Sequence, residues 1–160
     1  MYTVPTNLDV NEGFSTDIAR MNEMYELQQI VGWAASSSRI VKFKDILEEE
    51  CREIGDIEAT LNQADDGNAE EILLDARVQL ADLLGDIVVY CVSEAQRWNI
   101  PLGEVLHIIM QSNFSKLGAD GKPIKDERGK FLKGPNYWKP EPFIRELLLS
   151  GDAGLDTTQD

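Results

Sequence analysis

Histidine and cysteine are scarce in this 160-residue sequence, which contains one His and two Cys. Zinc sites are built from several Cys and His ligands at short spacing. Neither Cys51 nor Cys91 has a Cys or His partner nearby in the sequence, so a zinc site is not expected. His107 follows Glu104 at the spacing of a di-iron ligand pair. That site needs the pair on two helices, so a single histidine excludes it within one chain. A disulfide remains open, although we expect both cysteines to be buried free thiols.

Long apolar runs and positive charge are also scarce. No stretch of ~18 residues lacks a charged side chain, so no membrane span is expected. Residues 1–11 lack the basic flank and apolar run of a signal peptide. The 15 Lys and Arg are outnumbered by 29 Asp and Glu, and the net charge of −14 argues against binding nucleic acid or anionic lipid. We therefore expect a cytoplasmic protein with neither kind of partner.

Hydrophobic spacing predicts an all-α protein, a four- to five-helix bundle. With 42% apolar residues, the chain is expected to form one domain over residues 1–160, with flexible ends at 1–13 and 150–160. The predicted helices are residues 15–31, 39–61, 68–98, 101–116 and 142–149, with a serine-rich break at 33–38. Residues 114–140 contain seven basic and three acidic side chains. They predict a small basic β-hairpin, with strands at 122–125 and 130–133.

Two groups of carboxylates are the most informative feature that the sequence does contain. Glu49, Glu50 and Glu53 form one group and Asp82 and Asp86 the other, because residues three or four apart share a helix face. Like charges at this spacing repel unless a cation lies between them, and carboxylate oxygens suit Mg²⁺ or Mn²⁺. The sequence therefore predicts a divalent-cation site built on the second and third helices.

A solvated acidic face is the alternative, and it is the usual explanation of an acidic helix. Two features favour the cation. Glu50 interrupts the apolar seam of the second helix, and the two aspartates lie among Leu, Ile and Val in the third. An ionised carboxylate in a core must be paired, protonated or bound to metal. Salt bridges remain open for part of the group, since the second helix contains Lys42, Lys44 and Arg52.

Several motifs follow one another in an order that resembles a known family. They are Glu49-Glu50-x-x-Glu53, Asp82-x-x-x-Asp86, Ser112–Gly118, Asp120–Ile124, Gly129-Lys130 and Lys133–Tyr137. Together they resemble the MazG-like all-α nucleoside triphosphate pyrophosphohydrolases, relatives of phosphoribosyl-ATP pyrophosphohydrolases and dimeric dUTPases, over roughly residues 39–145. One position departs from the family. The second motif is usually Glu-x-x-Asp, but Leu83 stands three residues before Asp86, so Asp82 would have to replace the glutamate.

This resemblance implies hydrolysis of a nucleoside triphosphate to the monophosphate and pyrophosphate, as in house-cleaning of the nucleotide pool. Mg²⁺ is the implied cofactor, with Mn²⁺ as a substitute, and relatives are dimers or tetramers, so a homodimer or homotetramer is expected. The implied catalytic residues are Glu49, Glu50 and Glu53. The implied metal ligands are Glu50, Glu53, Asp82 and Asp86. The implied substrate-binding residues are Asn113, Lys116, Lys130, Lys133, Asn136 and Tyr137.

Two other functions remain open. A degenerate relative of the same fold would bind nucleotide or a partner protein without hydrolysing anything, and the missing glutamate favours it. A purely structural bundle would use its carboxylates in salt bridges alone.

Overall fold

The computed structural model describes residues 13–152, which form five α-helices. They are α1 (Gly13–Met24), α2 (Trp33–Leu61), α3 (Ala69–Arg97), α4 (Leu102–Phe114) and α5 (Glu141–Asp152). The predicted all-α class is confirmed. No helix in this part of the chain is both long enough and apolar enough for a bilayer crossing. Gly13 and residues 150–152, which we expected to be flexible, are helical, and the rest of both predicted flexible ends lies outside the described residues.

The helices fall into two compact units, Met1–Asn99 and Ile100–Asp160. In the first unit, α2 and α1 both pack against α3. In the second, α4 packs against α5. The single domain expected from length stays a prediction.

The first helix ends earlier than predicted, at Met24 rather than near residue 31. Glu26 takes a positive φ of 54°, and two backbone bonds close the end: Glu26 N–H donates to the Glu23 carbonyl at 3.0 Å and Leu27 N–H to the Asn22 carbonyl at 2.8 Å. This is the Schellman arrangement, in which the left-handed residue is usually glycine. A glutamate at this position does not mark a helix end in the sequence, so the predicted helix was too long.

The second helix begins earlier than predicted, and the break expected at residues 33–38 is wrong. Gly32, with φ at 80°, precedes the first helical residue, Trp33. The Ser36 hydroxyl donates to the Gly32 carbonyl at 2.8 Å. Bonding one turn back in this way satisfies a serine inside a helix, so the serine-rich segment continues the helix instead of interrupting it.

The predicted β-hairpin forms its turn but no strands within the described residues. One isolated antiparallel bridge joins Lys125 to Phe131, and Leu132 N–H donates to the Ile124 carbonyl at 2.8 Å. The Asp126 side chain accepts from the backbone N–H of Lys130 at 2.9 Å. The ladder is not extended, because the groups that would continue it have other partners. The Lys130 N–H is taken by the Asp126 carboxylate, the Gly134 N–H donates to the Lys116 carbonyl, and the Lys122 carbonyl accepts from Gly118.

The buried apolar core of the single chain is small. Among the described residues it consists of Ile18, Ala76, Leu83, Ala95 and Val105. Large side chains of α3 are 44–60% exposed instead: Leu73, Leu74, Val78, Leu80, Leu84 and Val88. The sequence predicts a central α3 because that helix is apolar almost all round. Within one chain, only part of its circumference is covered.

Candidate functional site

The acidic groups lie on two antiparallel helices, α2 and α3, joined by residues 62–68. Near this connection the Thr60 hydroxyl donates to the Gln79 side-chain oxygen at 3.1 Å. At the other end Arg39 Nε donates to Glu94 Oε2 at 2.9 Å. Between these contacts the two helices run side by side, so acidic residues from both come to the same level.

Glu50 is the buried residue of α2, with 6% of its surface exposed. Its Oε2 atom is buried and has no hydrogen-bond partner. Burial raises the pKa of this carboxyl, and the negative charges of Glu53, Asp86 and Glu49 raise that pKa further. A hydrogen bond from Tyr90 acts in the opposite direction. The seam position predicted for Glu50 therefore places against α3 a buried carboxyl of which one oxygen lacks a hydrogen-bond partner.

A cleft of about 280 Å³ opens beside this cluster. It is lined by Glu53, Asp56, Ile57, Gln79 and Asp82. Glu53 thus takes part in both places: its charge acts on Glu50, and its side chain lines the cleft. The two aspartates, by contrast, each belong to one place. The charge of Asp86 acts on Glu50, and the side chain of Asp82 lines the cleft.

No ion pair in the described part of the chain neutralises these side chains. The pairs there join Glu94 to Arg39 and Arg97, and Lys44 to Glu48. Arg52, a candidate partner for these carboxylates, instead donates from its side chain to the Glu48 backbone carbonyl at 3.1 Å. The salt-bridge alternative therefore accounts for Glu48 and not for the predicted metal ligands, of which Glu53, Asp82 and Asp86 are exposed to solvent.

The fit of a divalent cation can be judged from these residues. Within residues 13–152, no three Asp, Glu, His or Cys side chains are drawn together closely enough to hold an ion as they stand. The donor type nevertheless suits one, because Glu50 offers a buried oxygen without a partner and its neighbours are carboxylates. These residues therefore have the donor type and charge that a hard cation requires, while their spacing in the described residues forms no complete site.

Leu83 stands where the second motif of the family that the sequence resembles usually has a glutamate, and it is only 2% exposed. A carboxylate there would lie in the core of the first unit. The neighbouring Asp82 is exposed and lines the cleft.

Both cysteines are free and exposed, which corrects the expectation of buried thiols. Each of α2 and α3 has only part of its circumference covered within one chain, and both cysteines lie on uncovered sides.

The predicted substrate-binding residues all lie in the second unit. Lys116 Nζ donates to Asn113 Oδ1 at 2.7 Å, at the end of α4. Lys133 Nζ lies 4.5 Å from the centre of the Tyr137 ring. The other two, Lys130 and Asn136, are exposed in the segment before α5. The structure thus brings four of the six predicted residues together, in two pairs.

Gly134 ties this segment to the end of α4. Its N–H donates to the Lys116 carbonyl at 2.9 Å. A Cβ at this position would stand 2.0 Å from the Leu117 carbonyl oxygen, closer than atoms can approach. Only glycine permits this contact, which explains why the Lys-Gly-Pro motif contains one.

Sequence reasoning missed Tyr90, Asp56 and Gln79. Each lies one helical turn from a predicted residue: Tyr90 four after Asp86, Asp56 three after Glu53, and Gln79 three before Asp82. Helical spacing could have identified them, but their residue types gave no separate signal.

Comparison with known proteins shows a likeness of fold alone. No protein-family model matches the chain, and no curated protein sequence matches it. The chain is similar to a crystal structure of a "putative NTP pyrophosphohydrolase" from Exiguobacterium sp. 255-15, with 20% sequence identity and a TM-score of 0.50. The match covers 91% of this chain and 76% of that one. The two proteins share an all-helical fold.

Proposed function

We propose that this protein is a divalent-metal-dependent nucleoside triphosphate pyrophosphohydrolase. The observation that carries the proposal is the buried, unpartnered Glu50 oxygen, surrounded by the charges of Glu49, Glu53 and Asp86. The motif resemblance and the name of the Exiguobacterium protein with a similar fold support it. The products would be the nucleoside monophosphate and pyrophosphate, and we place the activity in the cytoplasm, in house-cleaning of the nucleotide pool.

Glu50, Glu53 and Asp86, with Asp82, would hold Mg²⁺, and Mn²⁺ would substitute for it. When bound, the ion supplies positive charge against the phosphate oxygens. Glu49 is exposed beside Glu50, so it is the carboxylate best placed to accept a proton from a water molecule without giving up a metal contact.

The second unit would hold the substrate. Lys116, Lys130 and Lys133 would bind phosphate oxygens as point charges. Asn113 and Asn136 would offer side-chain amides to the sugar or base. Tyr137, whose ring centre lies 4.5 Å from the Lys133 ammonium, would stack on the base.

Replacing Glu53 with Gln is expected to reduce pyrophosphate release at least about 100-fold while leaving the helices intact. The reason is that the carboxylate lost belongs both to the cleft and to the Glu50 cluster. The measurement is pyrophosphate release from a panel of ribo- and deoxyribonucleoside triphosphates with Mg²⁺ or Mn²⁺, together with circular dichroism.

Glu58→Gln provides the matched control, because Glu58 is an exposed glutamate on the same helix outside the cleft. It should keep wild-type turnover. Equal release from wild type and Glu53→Gln would remove Glu53 from the site.

A nucleotide- or protein-binding module without hydrolysis is the second candidate. The buried Leu83 favours it, since the family's usual carboxylate is absent at that position. The same panel separates the two, because a module would bind nucleotides and release no pyrophosphate with either metal.

We further propose that the protein works as a homodimer or homotetramer. The support is the row of large exposed apolar side chains along α3, which exceeds what isolated surface residues explain. Light scattering over a range of concentrations should give a mass above that of one 17.9 kDa chain. Leu84→Lys should lower that mass and leave the circular dichroism unchanged. A single-chain mass for the wild type at every concentration would contradict the proposal.

A further inference from the structure

An apolar cavity lies in the second unit, and none of the predicted metal ligands lines it. Its volume is about 260 Å³, and it lies between the end of α4 and the turn segment that follows. Leu117, Ile124, Phe131 and Leu132 supply most of its wall. Pockets for drug-sized ligands are usually ~300–1,000 Å³, so this one suits a smaller, flat group such as a single heterocycle.

Positive charge and amide groups surround the apolar wall. Lys116 and Asn113 line the cavity and are joined by their 2.7 Å hydrogen bond. Lys125 Nζ lies 4.8 Å from the centre of the Phe131 ring. The ligand that complements these walls is therefore a flat apolar ring that carries an anionic group.

Phe131 is one of several largely exposed aromatic residues, and it is the aromatic residue that lines this cavity. It is 60% exposed although it lines a cavity. Stacking of a base on an exposed aromatic ring does not depend on which base it is, because every base has a π-face. By contrast, Trp138 packs edge-on against Phe143, with ring centres 4.7 Å apart. Phe131 is the better platform for a ligand.

We propose that this cavity binds the base of a nucleotide, with Phe131 as the stacking surface and with Lys116 and Lys125 near the phosphates. The choice of a nucleotide as ligand rests on the proposed function. The binding itself does not depend on the carboxylates of the first unit or on metal.

The test is calorimetric titration of the full-length protein with nucleoside 5′-monophosphates in EDTA. Phe131→Ala should raise the dissociation constant about tenfold or more, since loss of a base–aromatic stack has effects of that size. Phe114→Ala is the matched control, because Phe114 is 56% exposed in the same unit and does not line the cavity. It should leave the constant unchanged.

A second comparison separates the base from the phosphate. Lys116→Ala should weaken binding of the monophosphate but not that of the uncharged nucleoside, whereas Phe131→Ala should weaken both. Equal affinities for wild type, Phe131→Ala and Phe114→Ala would overturn the proposal, and so would an absence of monophosphate binding.

The two proposals fail in different ways. Pyrophosphate release by the wild type, with a monophosphate affinity that Phe131→Ala does not change, would refute the cavity and leave the proposed function standing. Phe131-dependent binding of monophosphates without pyrophosphate release would refute the proposed function and leave the cavity proposal standing.

Discussion

Replacing Glu50 with Gln is expected to stabilise the protein in EDTA and to abolish its response to Mg²⁺. In the wild type, a buried Glu50 carboxyl oxygen without a hydrogen-bond partner lies near the negative charges of Glu53, Asp86 and Glu49. Leaving such a group unsatisfied costs about 1–3 kcal/mol, and the glutamine amide can donate to the neighbouring carboxylates. For a chain of this length, the gain corresponds to a rise in Tm of ~2–10 °C.

The pH dependence of the free energy of unfolding provides an independent test of Glu50. The pKa of Glu50 is raised in the folded state. At pH values between the unfolded and the folded pKa, the folded protein therefore holds a proton that the unfolded chain has released. Stability should therefore fall as pH rises from the unfolded pKa, about 4.3, through the higher folded pKa. Glu50→Gln should lack this component of the slope.

Thermal melts in EDTA between pH 4 and pH 8, followed by Mg²⁺ titration, measure both effects. The wild type should melt at a higher temperature with Mg²⁺, because an ion that binds the folded state alone stabilises it. Glu58→Gln should behave like the wild type throughout. A Glu50→Gln protein that melts below the wild type in EDTA would show that the carboxylate is already compensated.

Replacing Glu94 with Gln is expected to cause the largest loss of stability, about 3–5 kcal/mol. Glu94 is buried and accepts hydrogen bonds from Arg39 Nε at 2.9 Å and from Trp98 Nε1 at 2.6 Å. Arg97 adds a third partner, at 3.8 Å. Removing one member of a buried pair leaves the other charge uncompensated, which has costs of this size.

Glu48→Gln is the matched control for this change. Glu48 also pairs with a basic residue, Lys44, at 3.2 Å, but the two side chains are 57% and 69% exposed. Exposed pairs of this kind contribute roughly 0.5 kcal/mol or less on a helix. Urea denaturation should separate the two variants by several kcal/mol, and similar losses for both would contradict the structural role of the Arg39–Glu94 pair.

Glu94 should also respond to pH with the opposite sign to Glu50. Burial raises the pKa of Glu94, but the hydrogen bonds of Arg39 and Trp98 and the charges of Arg39 and Arg97 outweigh it, so the pKa is lowered. This stabilisation is complete above the unfolded pKa and is lost as pH falls through the lower folded pKa. Lowering the pH should therefore weaken the ion pairs of Glu94 and reduce the repulsion between Glu50 and its neighbouring carboxylates.

The acidic helices could be predicted from sequence because their signal is local. Carboxylates three and four residues apart identified a face on each helix, and the interruption at Glu50 identified the buried position. The end of α1 could not be predicted in this way, since Glu26 adopts a conformation for which glycine is the usual marker. The start of α2 was missed because serine is a weak signal whose hydroxyl can be satisfied inside a helix.

Other features depended on contacts between distant residues. Tyr90 acts on Glu50 from the opposite helix, and its spacing of four residues from Asp86 was the one local indication of this. The exposure of Cys51 and Cys91 depended on how much of each helix is covered. The stacking surface expected at Tyr137 is rivalled by Phe131, whose position follows from a turn that the sequence predicted as a β-hairpin.

The antiparallel pairing of α2 and α3 also has a consequence for how the chain folds. Thr60 and Gln79, which meet near the connection, are separated by 19 residues, and the acidic groups meet along the same helix pair. Short loops close at the lowest entropic cost, and topologies dominated by local contacts fold quickly. Pairing can therefore start at residues 62–68 and proceed outward, so the repelling carboxylates approach each other while the chain is still folding and before residues 100–152 are required.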